Sequence, residues 1–324
     1  MTTVLITSGG RRVALVRAFQ HALASLGGGR VLVADVVPTA AALHAADDGV
    51  LLPRCDDPAC VPALVEVCRR RDVRLLVPTT DREQPMLVAA GDALRAAGVR
   101  VALSGPKTVA IAADKLATAA FFTRAEVATP RLLDVDAALR TPALRFPLVV
   151  KPRFGSGSIG VHVVRDHEEL RFFLRRVPEP LLQEHCTGDE FTLDVLVGPG
   201  RRVACVVPRR RVETRAGEIA KGFTVRDAEL ERWGRHVAER LPDPWGPITL
   251  QCFRRPDAPP AFIEINTRFG GGFPLAAAAG ADYARWLVEW TLGLPSTACA
   301  DHWRGDVAML RYDDALFLPC EALR

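Results

Sequence analysis

The stretch that most constrains this chain is Phe262-Ile263-Glu264-Ile265-Asn266-Thr267-Arg268-Phe269-Gly270-Gly271-Gly272. Residues two apart on a strand project to one face. The alternation therefore lines up Glu264, Asn266 and Arg268 as carboxylate, amide and guanidinium, and sends Ile263 and Ile265 into a core. Such a strand borders a polar cleft on one face only, and the glycine run with Pro274 behind it ends the strand in a turn. Magnesium takes hard oxygen ligands and keeps positions for phosphate oxygens, so Glu264 and Asn266 are candidate metal ligands. Arg268 beside them can hold a carboxylate or phosphoryl group as charge develops. Gln251, on the run Ile248-Thr249-Leu250-Gln251-Cys252-Phe253, is a candidate third metal ligand from the neighbouring strand.

A second cluster supplies the opposite charge. Lys151-Pro152 is followed by Arg153-Phe154-Gly155-Ser156-Gly157-Ser158-Ile159-Gly160 and then by Val161-His162-Val163-Val164. A glycine-rich loop between antiparallel strands can fold over a triphosphate, because bare backbone at Gly155, Gly157 and Gly160 lets N–H groups and the Ser156 and Ser158 hydroxyls point inward. It is not a P-loop, since the GxxxxGK[ST] spacing is absent and no helix follows directly. Lys151, at the strand end, would meet α or β phosphate oxygens. Further on, Gln183-Glu184-His185-Cys186 precedes Gly188-Asp189-Glu190. That segment reads as a hinge whose backbone meets adenine, with Glu190 accepting from ribose hydroxyls.

Around these clusters the chain changes character once. Strands at 4–7, 31–37, 51–52, 74–78 and 99–104 alternate with helices at 12–26, 62–71 and 83–97, a βαβ rhythm that predicts a parallel, doubly wound sheet. Ser8-Gly9-Gly10 after the first strand lacks the third glycine of the dinucleotide fingerprint, so a tight turn is expected and a nicotinamide oxidoreductase is a poor reading. Asp35 reads as a turn former or a ribose ligand. A single Ala-rich helix is expected over 106–126 with Asp114-Lys115 in its middle. Beyond Phe146, strands at 148–151, 160–164, 181–184, 190–197, 202–207, 248–253 and 262–266, with helices at 166–176 and 227–241, predict an α+β region.

Composition narrows the partners. The 42 basic and 38 acidic residues are interspersed and leave a net charge of +4, which argues against nucleic acid. The eight cysteines form no CxxC pair, which fits a reduced, cytoplasmic setting. No signal-peptide pattern precedes Val4-Leu5-Ile6, and no run of about 18 apolar residues is present, so neither a leader nor a membrane span is expected. The arginines Arg209, Arg211 and Arg215 are candidates for binding a substrate carboxylate, and Thr79, Thr80, Asp81 and Arg82 could border an acceptor site.

Taken in order, Asp114-Lys115, Val149-Val150-Lys151-Pro152, the loop 155–160, Gln183-Glu184, Glu190, Gln251 and Glu264-Ile265-Asn266-Thr267-Arg268-Phe269 resemble the ATP-grasp superfamily, and most of all its carbamoyl-phosphate-synthase-like branch of carboxylate-amine ligases. The resemblance implies α/β and α+β architecture: a Rossmann-like, pre-ATP-grasp sheet (1–105), a small lobe with its linking helix (106–180), a large lobe (181–295) and a C-terminal extension (296–324). ATP would lie between the lobes. Lys115 and Lys151 would contact phosphates, Glu184, His185 and Cys186 would line adenine, and Glu190 would bind ribose. Gln251, Glu264 and Asn266 would hold Mg2+, or Mn2+ in its place, while Arg268 stabilises the acyl-phosphate region and Lys221 approaches the γ-phosphate.

The implied reaction is ATP-dependent ligation: a small-molecule carboxylate becomes an acyl phosphate and an amine displaces phosphate, with ADP released. Gln251 departs from the acidic ligand common in the superfamily. The chain also lacks the second ATP-grasp half and the glutaminase motif of carbamoyl phosphate synthase. Competing readings are an ATP-dependent carboxylase or phosphotransferase on the same fold, or a non-catalytic Mg-ATP-binding module. The tail from Ala298 is expected to pack on the body or on a second copy in a homodimer.

Overall fold

The computed structural model describes residues 2–215 and 217–323. The first sheet holds β1 (Thr2–Thr7), β2 (Gly29–Asp35), β3 (Asp48–Leu51), β4 (Val73–Pro78) and β5 (Arg100–Val101), all parallel, in the order β3-β2-β1-β4-β5. Alternation decides its two faces. Val4, Ile6, Val31 and Val33 pack with Leu15 and Phe19 of the helix Val13–Ser25, whereas Leu5, Leu32 and Leu76 pack with Leu64 and Cys68 of the helix Cys60–Arg70. Helices on both faces are what a parallel sheet requires. Asp35 ends β2 as a turn former: its carboxylate accepts the Gly10 amide at 2.8 Å and the Val36 amide at 2.7 Å.

The helix expected over 106–126 is two helices, Pro106–Ala113 and Lys115–Arg124. Asp114 between them is extended, and its carboxylate caps the second helix at the Leu116 amide, 2.9 Å away. A short acidic side chain that captures a backbone amide competes with the helix it sits in. Lys115 is thereby placed on a first turn at the edge of the cleft.

The small lobe is a four-stranded antiparallel sheet of β6 (Leu132–Leu133), β7 (Leu148–Pro152), β8 (His162–Val164) and β9 (Pro180–Glu184), ordered β6-β9-β7-β8. Because β9 pairs with β7, the residues up to Glu184 belong to this sheet. The large lobe is a six-stranded antiparallel sheet of β10 (Asp189–Val197), β11 (Val203–Arg215), β12 (Glu218–Thr224), β13 (Gly246–Arg255), β14 (Ala258–Asn266) and β15 (Ala308–Leu310), ordered β14-β13-β10-β11-β12-β15. Strand β11 runs well past the expected end at 207, and β12, which sequence periodicity missed, pairs back on it. The expected C-terminal extension also supplies a strand, since β15 pairs with Lys221, Gly222 and Phe223.

One face of the large sheet buries Leu193, Val195, Ile248, Leu250, Phe262 and Ile265 against Phe121, Phe122 and the helix Ala228–Arg240. The opposite face carries Thr192, Arg209, Thr249, Gln251 and Asn266 toward a cleft. The N-terminal sheet closes that cleft: Phe269, Phe273, Tyr283 and Trp286 share one core with Val4, Ile6 and Phe19. Among the described residues no helix is long and apolar enough to cross a membrane.

Candidate nucleotide and substrate site

Two cavities of about 250 Å³ and about 260 Å³ meet under the glycine loop and share Ser156, Ser158, Gln251 and Glu264. The first lies between the lobes. Its walls are Val149, Ile159, Val161, Val163, Phe253 and Ile263, and its polar groups include Lys115, Lys151, Gln183 and Glu190. Glu184, His185 and Cys186, which join β9 to β10, line it as well. Glu184 directs its carboxylate to Arg131, accepting from the backbone amide at 3.3 Å and from Nε at 3.0 Å. Glu190 pairs with Arg211 Nε at 3.0 Å. Burial pushes the Cys186 thiol up.

Both lysines are held by neutral oxygens. Lys151 Nζ donates to Gln183 Oε1 at 2.7 Å, and Gln183 is fixed in turn by donating to the Pro130 carbonyl at 2.9 Å. Lys115 Nζ donates to the Gly155 carbonyl at 2.8 Å, which ties the flap to the helix start. Burial, and after it the neighbouring Lys115 charge, lower the Lys151 ammonium to about 8. Burial lowers Lys115 too, against the pull of Glu264 and Asp81. Such groups carry a charge that a phosphate would complete.

Facing them is the row that the sequence places on β14. Gln251 on β13 stands directly opposite Glu264, and Thr249 opposite Asn266. Burial raises the Glu264 carboxyl, although Lys115, Arg268 and Lys151 pull the other way. Glu264 makes no hydrogen bond or ion pair with a described residue, so its oxygens are free for a cation. Arg268 is oriented by Asp81 of the N-terminal domain through Nε at 2.8 Å and Nη2 at 2.7 Å, and Nη2 also reaches Asn266 Oδ1 at 3.4 Å. Burial lowers the Arg268 guanidinium, but Asp81, Glu264 and Glu218 together outweigh it and the net displacement is upward.

Ile263 departs from the expected pattern. The register shifts between Gln251 and Cys252, which face Glu264 and Phe262, so Ile263 is the extra residue of a β-bulge. It lines the first cavity instead of the core, while Ile265 is buried as expected. A bulge re-aims neighbouring side chains, and here it brings Glu264 to both cavities at once.

Lys221 is not brought to the cleft. Two register irregularities around Glu213 pair it with Lys221, whose Nζ contacts Glu213 Oε2 at 2.5 Å on the solvent side of the β11–β12 hairpin. The loop residue that reaches across is Gly157: a Cβ on Gly217 would stand 2.7 Å from its carbonyl carbon, so the flap tip rests on the β11–β12 turn. Gly155 lines the nucleotide side, Gly157 the other cavity, and Gly160 packs against Pro152.

The second cavity is lined by Arg12, Thr80, Arg209, Arg211, Glu218, Arg268 and the turn 270–272. Arg12 and Glu218 were not legible as site residues, because each belongs to a segment without a motif. They meet at 3.2 Å, with Arg11 on the same carboxylate at 2.8 Å and Arg311 at 3.1 Å. Burial by itself would raise Glu218; Arg12, Arg11 and Arg311 outweigh it and hold the carboxyl below its usual range.

A family model described as ATP-grasp domain matches residues 112–272, and one described as PylC-like, N-terminal domain matches residues 4–102. The chain is an ATP-grasp protein. The D-alanine–D-alanine ligase of Thermotoga maritima is 30% identical over 135 residues, 39% of this ATP-grasp chain and 44% of that protein. The chain thus spans under half the length of the curated relatives it matches. Among solved structures, the L-amino acid ligase of Bacillus licheniformis superposes with a TM-score of 0.70 at 18% identity over 94% of this chain and 78% of that one. The biotin carboxylase domain of Hydrogenobacter thermophilus 2-oxoglutarate carboxylase, solved with MgADP and bicarbonate, gives 0.72 at 16% identity over 94% and 73%. These likenesses show the fold.

Proposed function

We propose that this protein is an ATP-dependent carboxylate-amine ligase, which converts a substrate carboxylate to an acyl phosphate and couples it to an amine with release of ADP and phosphate. One observation carries the reading: Lys115 and Lys151, held by neutral oxygens, face a half-buried Glu264, unpaired among the described residues, across one cleft that the glycine flap covers. The ligases among its relatives support the chemistry, and the MgADP-bound neighbour supports the nucleotide.

In this reading adenine enters the apolar walls of Val161, Val163, Phe253 and Ile263, beside Glu184, His185 and Cys186, and ribose meets Glu190. Lys115 and Lys151 take phosphate oxygens, with Ser156, Ser158 and the glycine amides above them. Gln251, Glu264 and Asn266 offer hard oxygens that fit Mg2+ or Mn2+, which when bound would neutralise phosphate charge and hold Glu264 ionised. Arg268, fixed by Asp81, receives the substrate carboxylate and the acyl phosphate that forms from it. Catalysis is then positioning and electrostatics, as in other phosphoryl transfers. The flap, resting on Gly217, keeps water from the anhydride.

The test is ADP release from Mg-ATP across amino acids, other acids, amines and bicarbonate, with mass spectrometry of the product. A C–N-linked product with ADP is expected. A phosphorylated product would establish a phosphotransferase, bicarbonate dependence a carboxylase, and tight Mg-ATP binding without turnover a non-catalytic module.

A further inference from the structure

Arg209 is one of the largest fully buried side chains of the protein, with 1% of its surface exposed. It stands on β11 in a row that runs across four strands, Glu264 to Gln251 to Thr192 to Arg209. Asp194 takes one edge of its guanidinium, at 2.5 Å to Nε and 3.0 Å to Nη2. Nη1 is buried and has no partner among the described residues. A guanidinium presents its donors in a fixed planar fork, so the Asp194 pair leaves Nη1 donors aimed elsewhere. They aim at the turn 270–272: a Cβ on Gly272 would overlap Nη1, and one on Gly270 would stand 3.5 Å from Nη2. The chain keeps this approach free of side chains.

The surroundings select an anion. The cavity is lined by six arginines against the three carboxylates of Asp81, Glu218 and Glu264. Arg268 is held by Asp81 and Arg12 by Glu218, the latter already shared with Arg11 and Arg311. A buried donor without a partner is costly unless a ligand supplies the acceptor. Three strand spacings separate Arg209 from Glu264, about 14 Å of backbone, which sets the Nη1 donors apart from the Glu264 end of the cleft.

We propose that Arg209 Nη1 and the turn 270–272 form a receptor for a second carboxylate, one that a substrate carries through the reaction unactivated. The inference rests on the ligase reading for its role and on Arg209 alone for its place. A spared carboxylate has two sources, an acceptor that is itself an amino acid or a donor that is a diacid. In either case Arg209 determines specificity and takes no part in bond making.

The experiment offers matched pairs to the intact protein with Mg-ATP. Acceptors are glycine, alanine, leucine and glutamate, each as free acid and as α-carboxamide; donors are succinate and glutarate against their monoamides. In one arm kcat/KM from ADP release is expected to favour the acid about 100-fold, the worth of a hydrogen bond to a charged group. Arg209→Lys, which keeps the charge but loses the fork, is expected to erase that ratio through KM while Mg-ATP affinity holds. Gly272→Ala, whose Cβ would overlap Nη1, should raise KM for acids and not for amides. Equal use of acid and amide in both arms overturns the proposal, as does an undiminished preference in both variants or an equal loss for acids and amides. Should no pair release ADP, the ligase reading falls. The receptor is then judged by thermal unfolding in glycine or succinate against their amides: a rise with the acids that Arg209→Lys removes sustains it, and no rise ends it.

Discussion

The two halves of the cleft solve charge in opposite ways. On the nucleotide side the lysines rest on neutral oxygens, Lys151 on Gln183 and Lys115 on the Gly155 carbonyl, and Glu264 has no partner. On the other side the arginines are already matched: Arg268 to Asp81, Arg12 to Glu218, Arg211 to Glu190 and Arg209 to Asp194. A cation resting on a neutral oxygen retains its full electrostatic appetite and shifts its pKa. One paired with a carboxylate is fixed in orientation and presents its remaining donors as a shaped surface. The first half is suited to highly charged phosphates and a cation, the second to discriminating among small acids.

That contrast breaks most completely at Glu264. Glu264→Gln is expected to lower ADP formation by three orders of magnitude or so, as loss of a charge-stabilising group in phosphoryl transfer does. The thermal midpoint should hold or rise, because a half-buried, unpaired carboxylate is removed. A variant with full activity would remove the metal role. Next in size, Lys151→Met should weaken Mg-ATP binding about 10- to 100-fold by calorimetry, the worth of a charge-assisted hydrogen bond.

The pH response sharpens the same point. Phosphate favours the Lys151 ammonium, whose free form titrates at about 8. ATP affinity should therefore be full below pH 8 and fall above it by up to about tenfold per unit, with net proton uptake near pH 8 measurable by calorimetry in buffers of different ionisation enthalpy. The apo protein runs the other way. An unfolded Lys151 keeps its proton up to its ordinary 10.5, so between pH 8 and 10.5 this group makes folding more favourable as pH rises.

Gly217→Val tests the lid. The residue has φ +75°, and a side chain there would meet Gly157, so the flap would be held off its seat. A fall in kcat of about tenfold, with unproductive ATP hydrolysis rising relative to product, is expected from a gate of this kind. The smallest effect belongs to Lys221→Ala: an exposed ion pair with Glu213 contributes little, and ADP release should change less than about twofold.

Much of the site was readable because its chemistry is local. Glu264, Asn266 and Arg268 sit on one strand with period two, and the glycines that free the flap are contiguous with Lys151. What could not be read depended on a partner far along the chain. The apolar walls Val161 and Val163 look like ordinary strand residues until β8 lies over the cleft. Ile263 obeys the alternation rule and still leaves the core, because the bulge against Cys252 is a property of two strands.

By itself the sequence determined the parallel sheet, the strand-rich body, the glycine loop and the row of polar side chains on one strand, since backbone periodicity and steric freedom are set within a few residues. The tertiary structure decided which like-charged side chains serve the cleft. Lys151 and Lys221 are both strand lysines near glycines, yet one is buried against Gln183 and the other lies half-exposed on Glu213. Strand register and the packing of the N-terminal sheet, which delivers Asp81 to Arg268, settle that choice. Both are set by contacts between distant segments, for which a local pattern carries no signal.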